Sequence, residues 1–449
     1  MKKIISILLS ITTILIMFAG CVSSNMVTEE LPTESATEST TQPAHKTEVP
    51  EGYVGIYSAD DFEYIRTTPK GNYILMSDLD FSDVKDWKNI KVEGDFDGNN
   101  YSVNNYNQNE ALFYKCSGSI KDLTMSNSSC KNGSPFCNSL YAKGTLTNIK
   151  INANISTELT SIEGEEKKYD PSVYIGGIVN TAERDSNDNE PAIASCLFNG
   201  NIEVNFKQII DLKEQEVNVG GIVGYSDHCH VSNCIATGNI TYNEQGDDII
   251  FHNTFLGGII AYSTVSEVYN SAANMNIKAS TISSVWAGGI IGISKIIGGG
   301  PKIVQCCNSG DIELNSRDSD ECQAGGICAK TDSYKPVIKD CYNSGNIAAH
   351  DVAGISVNSA VISKCYNRGN LNGSKATGSL LIDKSESVEY SYYLDEGFPA
   401  IYNGGKYPTV KALTSEAMQN KESYEGFDFE NVWTMGSDNY PAQIYTQTN

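Results

Sequence analysis

The sequence predicts an all-β protein, a parallel β-solenoid expected to take the form of a right-handed β-helix. A phrase G-G-I-[VIC] returns at intervals of 28–44 residues, and C-x-x-x-G-[ND]-[IL] follows it each time, with some substitutions. The spacers between the phrases vary in length, which places insertions in loops. The phrases are rich in branched and aromatic residues, as short strands are. A propeller is the alternative, but its blades need four strands at a steadier length.

The first 20 residues predict an export signal. Lys2 and Lys3 precede an apolar run over residues 4–19, and small residues precede Cys21. The segment resembles the bacterial lipoprotein signal, which implies that Cys21 carries a diacylglycerol and anchors the mature chain to a membrane by its acyl chains. Ordinary secretion, with an incidental cysteine, is the alternative. Residues 21–50 are rich in Ser, Thr, Glu and Pro and predict a disordered tether. We therefore expect an extracytoplasmic, membrane-anchored protein at the cell surface.

Residues 51–170 are expected to form the N-terminal cap and the first coils. Ser58-Ala59-Asp60-Asp61 predicts a helix start capped by Ser58, with Phe62 and Ile65 on one face. Such a helix would cover the open strand edge of the solenoid. Asp78 and Asp80 share a face of a predicted strand, and we expect them to be structural.

Residues 171–395 are expected to form the repeat β-helix. The position three after the first glycine of each phrase is apolar in five of six copies, which predicts an inward-facing row. Its members are Val179, Val223, Ile260, Ile291, Cys328 and Ser356.

The second phrase predicts two ladders of stacked side chains. The first is a cysteine position, with Tyr269 standing in for one cysteine, and the second lies five residues later at a corner where Asn and Asp tolerate left-handed backbone or form amide ladders. The predicted members are Cys196, Cys234, Cys306, Cys341 and Cys365, followed by Asn201, Asn239, Asn274, Asp311, Asn346 and Asn370.

The repeats are similar to a known motif. G-G-I-V-G-Y followed by V-S-N-C-I-A-T-G-N-I resembles the GLUG-motif repeats of bacterial surface and secreted proteins. The resemblance implies a β-helix over about residues 55–445 and says little about chemistry. Residues 396–449, with Trp433, Tyr440 and Pro441, are expected to form the C-terminal cap.

Three residue sets suggest ligand or redox chemistry. Twelve cysteines remain besides Cys21, and either a reduced thiol ladder, which we favour, or disulfides between coils fit their spacing. Asp227-His228-Cys229-His230 has metal-ligand character, but a surface loop is the plainer interpretation. Asp95 to Asn100 superficially resembles a calcium loop yet lacks its closing Glu, so a turn is expected and calcium is only an alternative. We therefore predict no cofactor and no metal.

The composition narrows the possible partners and functions. A formal net charge of -23 disfavours nucleic acid. Neither a nucleophile elbow, nor H-E-x-x-H, nor a phosphate loop occurs in the 449 residues. The leading hypothesis is a non-enzymatic, adhesin-like surface protein that presents variable loops to a glycan or a protein. Its expected contact residues are Phe206, Tyr242, Phe251 and His252. The alternatives are a polysaccharide-degrading β-helix enzyme, a lyase or glycoside hydrolase, and a purely structural envelope protein.

Overall fold

The computed structural model describes most of the chain after the tether. The expected signal peptide, Cys21 and residues 22–44 lie outside the described residues. No helix in the described part combines the length and the apolar character needed to span a membrane. The described residues are 45–88, 90–160, 172–207, 216–245, 252–295, 302–317, 321–332, 335–383, 385 and 387–444.

The described strands stack in parallel and in register, as a β-solenoid requires, so the predicted fold class is confirmed. One of the stacked sheets, which we call the front sheet, begins in the first coils, and in the repeat region its strands follow the G-G-I turns. Its strands are Ile90–Val92, Phe113–Cys116, Cys137–Tyr141, Val179–Glu183, Val223–Asp227, Ile260–Thr264, Ile291–Lys295 and Cys328–Asp332.

Each coil enters the front sheet through a strand that ends at the first glycine. These entry strands are Val173–Gly176, Glu216–Gly220, Asn253–Gly257, Ser284–Gly288 and Cys322–Gly325. Short strands follow the front sheet at Ala192–Ala194, His230–Ser232, Glu267–Tyr269, Lys302–Val304, Val337–Lys339, Val361–Ser363 and Val388–Glu389.

Further strands, two to eleven residues long, complete each coil after a sharp corner. They are Leu197–Lys207, Ile235–Gln245, Ala272–Thr281, Cys307–Asn308, Ile312–Ser316, Tyr342–Asn343, Ile347–Ala353, Tyr366–Asn367, Leu371–Gly378 and Ser391–Leu394. The pairing of Ala353 with Gly378 adds a coil that the repeat pattern did not predict, because its phrase has degenerated to T-G-S-L.

The remaining strands lie near the two ends. Towards the N-terminus they are Tyr53–Ile56, Asn72–Leu75, Leu79–Asp80, Asp95–Asp97, Ser102–Asn104, Asn107–Gln108, Ser119–Cys130 and Thr145–Thr160. At the C-terminus they are Val410–Leu413 and the antiparallel pair Trp433–Met435 and Pro441–Gln443.

The G-G-I turn is a steric requirement. A Cβ on Gly220 would lie 2.0 Å from the carbonyl oxygen of Val223, and one on Gly221 would lie 2.1 Å from that of Gly258 in the next coil. No side chain fits at those separations. The predicted inward row of six residues is confirmed, because every member is buried and stacks on its counterpart.

The predicted cysteine row is confirmed, but its stand-in is wrong. Tyr269 pairs with Ser232, and Ser271 takes the cysteine position between Cys234 and Cys306. The backbone corner before the cysteine position explains this shift. In each coil of the repeat region a residue with positive φ directly precedes the cysteine position and sets the register. These corner residues are Ser195, Asn233, Asn270, Gln305, Asp340, Lys364 and Tyr390.

The predicted asparagine ladder exists with one correction. Asn239 pairs with Asn276, so Asn276 replaces Asn274 as the ladder member of that coil. The amide of Asn239 donates to the Asn201 oxygen at 2.7 Å, and that of Asn276 donates to the Asn239 oxygen at 3.1 Å. The expected left-handed backbone at this ladder is wrong, because none of its Asn and Asp residues has a positive φ; Gly238 has one just before Asn239, and the non-glycine positive φ angles of these coils lie at the cysteine corner.

A second, fully buried amide ladder was not predicted. Asn308 donates to Asn343 at 2.8 Å, and Asn343 donates to Asn367 at 2.8 Å. Each of the three also bonds the backbone of its own turn. Asn343 lies directly over Gly326, where a Cβ would be 2.6 Å from the Asn343 Cβ. Asn308 and Asn367 lie against Gly289 and Gly354 in the same way, so the ladder packs against the second glycine of three successive turns.

Both ends carry aromatic caps. The Ser58 backbone N–H donates to Asp61 at 2.9 Å ahead of the short 3-10 segment Ala59–Asp61 and the helix Phe62–Thr67. Phe62 and Ile65 are fully buried, as predicted. At the other end, helices Ser415–Met418 and Lys421–Ser423 precede Trp433, whose ring lies 6.0 Å from that of Tyr366.

The N-terminal boundary lies earlier than residue 51. The ring of His45 stacks on Tyr101 at 4.1 Å, and the Lys46 ammonium lies 2.6 Å from the buried carboxylate of Asp97. Asn99 closes this contact, because its side-chain oxygen accepts from the Lys46 backbone N–H at 2.7 Å. Residues 45 and 46, assigned to the tether by composition, therefore contact the first coils.

Candidate functional site: an aromatic groove along the outer face

The predicted contact residues do not form an exposed surface. Phe206, Tyr242 and His252 are 3%, 0% and 4% exposed, and Phe251 lies outside the described residues. The His252 Nε2 lies 2.9 Å from the Tyr242 hydroxyl and 3.0 Å from a carboxylate oxygen of Glu244, while its ring stacks on Phe206 at 4.7 Å. The prediction is wrong for these three because Phe206 and Tyr242 continue the inward pattern of their strands, and His252, just before the strand Asn253–Gly257, packs against both.

The outer face of the repeat region carries aromatic side chains at two fixed offsets from the glycine pair. The first row lies two residues before the first glycine and runs Tyr174, Asn218, Phe255, Trp286, Gln323 and Asp351. The second row lies five residues after that glycine and runs Thr181, Tyr225, Tyr262, Ile293 and Lys330.

The two rows meet across the G-G-I turn. The ring centroids of Tyr174 and Tyr225 are 5.0 Å apart, those of Tyr225 and Tyr262 are 5.3 Å apart, and the Phe255 ring meets Tyr262 edge-on at 5.9 Å. The Phe255 ring stacks on Trp286 at 5.1 Å. Side chains on the outer side of successive strands touch, so this bend is concave towards solvent. We call the feature the aromatic groove.

The aromatic groove has a buried floor and a partly open rim. Phe255, Trp286 and Ile293 form an apolar cluster separate from the main core, each about 1% exposed. The rings of Tyr225 and Tyr262 are partly exposed at the rim. Burial raises the pKa of both tyrosines, so their hydroxyls stay neutral hydrogen-bonding groups at physiological pH. Aromatic faces with adjacent hydroxyls suit a ligand that has both apolar faces and polar edges.

Two lysines border the groove and differ in their partners. The Lys295 ammonium lies 5.0 Å from the Tyr262 ring centroid and forms an ion pair with Glu216 at 3.3 Å. Burial alone would lower its pKa, but Tyr262 and Glu216 outweigh that effect and raise it. The Lys330 ammonium lies 3.6 Å above the Trp286 ring, and burial lowers its pKa.

The floor of the groove also holds hydrogen-bond acceptors that have no donor among the described residues. The side-chain oxygen of Asn218 is wholly buried, and its amide donates to the Val173 carbonyl at 3.3 Å. One carboxylate oxygen of Asp351 accepts from Gln323 at 3.0 Å, while the other has no donor. Buried acceptors of this kind are costly unless a donor reaches them.

The His228 segment lies beyond the front strand Val223–Asp227 and does not converge on a point. The His228 Nδ1 contacts Asp227 at 2.7 Å, whereas His230 contacts Glu190 at 2.7 Å, and the Cys229 side chain is buried. No set of three or more potential metal ligands converges within the described residues.

The carboxylates noted in the first coils make structural contacts. Asp78 accepts from the Ser102 backbone N–H at 2.8 Å. Asp80 accepts from the Asn105 amide at 2.9 Å, and that hydrogen bond lowers its pKa. Asp95–Asp97 is a strand followed by a turn with positive φ at Asn99 and Asn100, so the predicted turn is confirmed.

The twelve cysteines of the described residues are buried thiols. In the ladder, each thiol donates to a backbone carbonyl two residues earlier, at 3.2 Å for Cys234 and Cys341. Burial raises the pKa of Cys341 well above its usual range. Thiols in this state are poor nucleophiles.

A comparison with known protein families matches the centre of the groove region. The chain carries a GLUG motif. It spans residues 216–241, which include the entry strand, the glycine pair, Tyr225, and the cysteine and asparagine ladder positions. A comparison with curated proteins finds no match.

The solved structures that resemble this chain include two named for immunoglobulin A1 protease. A putative immunoglobulin A1 protease from Bacteroides ovatus shares 15% identity at a TM-score of 0.42, over 87% of this chain and 92% of that chain. A structure named IgA1 protease shares 14% identity at a TM-score of 0.41, over 70% of this chain. The matched part is 21% of that second protein.

Sequence reasoning missed the groove, although its signal is present. The aromatic residues recur at positions −2 and +5 relative to the first glycine, as in F-L-G-G-I-I-A-Y and W-A-G-G-I. Tyrosines at such positions also suit an ordinary half-buried strand. Only the stacking of coils shows that the two offsets face each other.

Proposed function

We propose that this protein is a membrane-anchored, non-enzymatic binding protein of the cell surface that holds a glycan in the aromatic groove. The observation that carries the proposal is the continuous row of five aromatic rings from Tyr174 to Trp286 along the outer face. Tyr174, Tyr225 and Tyr262 are partly exposed and can meet a ligand, while Phe255 and Trp286 are buried and hold the row in place. Sugar rings have apolar faces that stack on aromatic side chains, and hydroxyl edges that bond polar neighbours. A rod of stacked coils presents such a row along its length.

The location belongs to the same proposal. The lipoprotein-like signal ending at Cys21 and the polar residues that follow it support a body held outside the cell by acyl chains. The described fold begins at His45, so about two dozen residues separate the anchor from the first coil. The aromatic groove would then face the surroundings of the cell.

The proposal is tested with a glycan and mucin panel that scores retained protein and released sugar in the same wells. The full-length chain, purified in detergent, is compared with the double variant Tyr225→Ala, Tyr262→Ala. The matched control is Tyr402→Ala, which removes a tyrosine that is 48% exposed and lies outside the groove.

Saturable retention without released sugar, lost in the double variant and kept in the control, is the expected result. Stacking contributes about 0.5–1.5 kcal/mol per aromatic contact, so loss of two rings should weaken binding by about 5- to 150-fold. Equal retention by the double variant would discard the groove as the binding site. Released sugar would overturn the non-enzymatic function.

A further inference from the structure

One end of the aromatic groove combines an ammonium and a carboxylate oxygen that find no ion-pair or hydrogen-bond partner within the described part of the chain. This end is formed by Trp286, Gln323, Lys330 and Asp351. The Trp286 indole N–H donates to Gln323 at 3.0 Å, and the Gln323 amide donates to Asp351 at 3.0 Å. That chain of hydrogen bonds holds one Asp351 oxygen in place and leaves the other without a donor among the described residues.

Lys330 is the unusual member of this end. Its ammonium lies 3.6 Å from the Trp286 ring centroid and 5.9 Å from that of Phe255. Glu321 and Asp332 act on it electrostatically, yet no carboxylate of the described residues forms an ion pair with it, in contrast to Lys295 and Glu216. A partly buried ammonium with free N–H groups favours an anionic acceptor.

We propose that this end of the groove binds one carboxylated sugar residue, with its carboxylate on Lys330 and a ring hydroxyl donating to Asp351. The inference rests on the proposed function, because the neutral part of the same glycan would lie along Tyr225 and Tyr262. An acidic pyranose supplies both groups that the pair needs. It also keeps an apolar ring face for the aromatic neighbours.

The surrounding charge narrows the ligand further. The chain has a formal net charge of -23, and Glu216, Glu321 and Asp332 lie near the lysines of the groove. A polymer with a carboxylate on every residue would meet these groups and be repelled. A glycan with a single or terminal acidic residue brings one carboxylate to Lys330 and meets that repulsion only once. The ligand class is therefore a largely neutral glycan with an isolated uronic or sialic acid residue.

The test uses tryptophan fluorescence, since Trp286 touches the proposed subsite. The full-length chain in detergent is titrated with 3′-sialyllactose and with a glucuronic-acid-terminated oligosaccharide, each beside its carboxyl-reduced counterpart. The variant Lys330→Met removes the ammonium. Lys115→Met is the matched control, because Lys115 occupies the same row of the front sheet in an early coil and lies 3.6 Å over the ring of Tyr141.

We expect at least one acidic sugar to bind about tenfold more tightly than its reduced counterpart, the factor that one charge-assisted hydrogen bond supplies. The preference should disappear in Lys330→Met and persist in Lys115→Met. Equal binding of both forms by the unaltered chain would overturn the acidic subsite and leave the proposed function standing. Absence of binding by every sugar here and in the glycan panel would overturn both.

The unaltered chain offers a second measurement that does not depend on a variant folding. Its affinity for the acidic sugar should fall as pH rises through the pKa of Lys330, while affinity for the reduced sugar stays level. A preference for the acidic form that persists at high pH would contradict the assignment to Lys330.

Discussion

The buried asparagine ladder allows a quantitative test of how these coils are held together. Asn343→Ala removes the hydrogen bonds from Asn308 and to Asn367, both 2.8 Å, and the one to the Gly345 carbonyl, 2.9 Å. At about 1 kcal/mol net for each hydrogen bond, these losses amount to about 3 kcal/mol. The cavity and the weakened neighbouring amides add about 1 kcal/mol, because Asn343 has no exposed surface.

The exposed ladder supplies a matched control. Asn239→Ala removes two amide hydrogen bonds of similar length, 2.7 Å to Asn201 and 3.1 Å from Asn276, on the solvent-exposed side of the coil. Water replaces the lost partners there, so the expected cost is under about 1 kcal/mol. The chemistry is the same, and only the burial differs.

The assay is urea unfolding followed by circular dichroism, together with hydrogen exchange of the amides in each altered coil. Solenoid stability is a sum of coil and interface contributions, so exchange reports where the free energy of unfolding is lost. We expect Asn343→Ala to speed exchange around residues 342–347 and to lower the urea midpoint clearly more than Asn239→Ala. Equal effects of the two variants would refute the reasoning that burial decides the strength of an amide ladder.

Three further outcomes are expected. Gly221→Ala places a Cβ 2.1 Å from a carbonyl oxygen of the next coil and should lower the free energy of unfolding in urea by more than about 3 kcal/mol. The control Gly436→Ala should lower it only slightly. An equally small effect of Gly221→Ala would contradict the steric explanation. Asp97→Asn should lower the free energy of unfolding by about 2 kcal/mol at pH 7. Burial alone would raise the pKa of Asp97, but the hydrogen bonds from Lys46 and the Asn99 backbone, with the charge of Lys121, outweigh burial and hold that pKa below its usual value. The stability that the Asp97 carboxylate contributes is present above its pKa in the unfolded chain and is lost as pH falls through its pKa in the folded chain. The difference in free energy of unfolding between the unaltered chain and Asp97→Asn should therefore shrink in acid. A difference that grows in acid would refute the assignment. The twelve described cysteines should react with iodoacetamide only after unfolding, and mass spectrometry that finds rapid native labelling or disulfides would contradict the thiol ladder.

Much of the fold was predictable because a solenoid repeats its local rules. Gly220 and Gly221 recur wherever two backbones approach too closely for a Cβ, and Val223 recurs wherever a strand faces the interior. These requirements act on single residues, so they leave a direct mark on the sequence. The cysteine row and most of the exposed asparagine ladder were predictable on the same grounds.

The register predicted from the sequence was wrong where the residues of a coil differ from the repeated motif. In the third repeat, Tyr269 resembles the tyrosine that follows a cysteine elsewhere, yet the positive φ at Asn270 places Ser271 at the cysteine position. The same two-residue offset moved the ladder from Asn274 to Asn276. The register of this coil is set by the backbone conformation at the corner, which the amino-acid sequence does not show directly.

The candidate site shows most clearly which features the sequence determines and which depend on the tertiary structure. The sequence by itself determined a stacked β-solenoid, its inward rows and the steric need for the glycine pair, because each of these depends on residues near one another in the chain. Whether a given aromatic faces inward or outward, as Tyr242 and Tyr225 do respectively, depends on the corner that sets its strand. The groove depends on contacts between rings from different coils, such as Tyr174 with Tyr225. Only the tertiary structure decides those contacts, because they join residues 51 positions apart through the register of stacked strands.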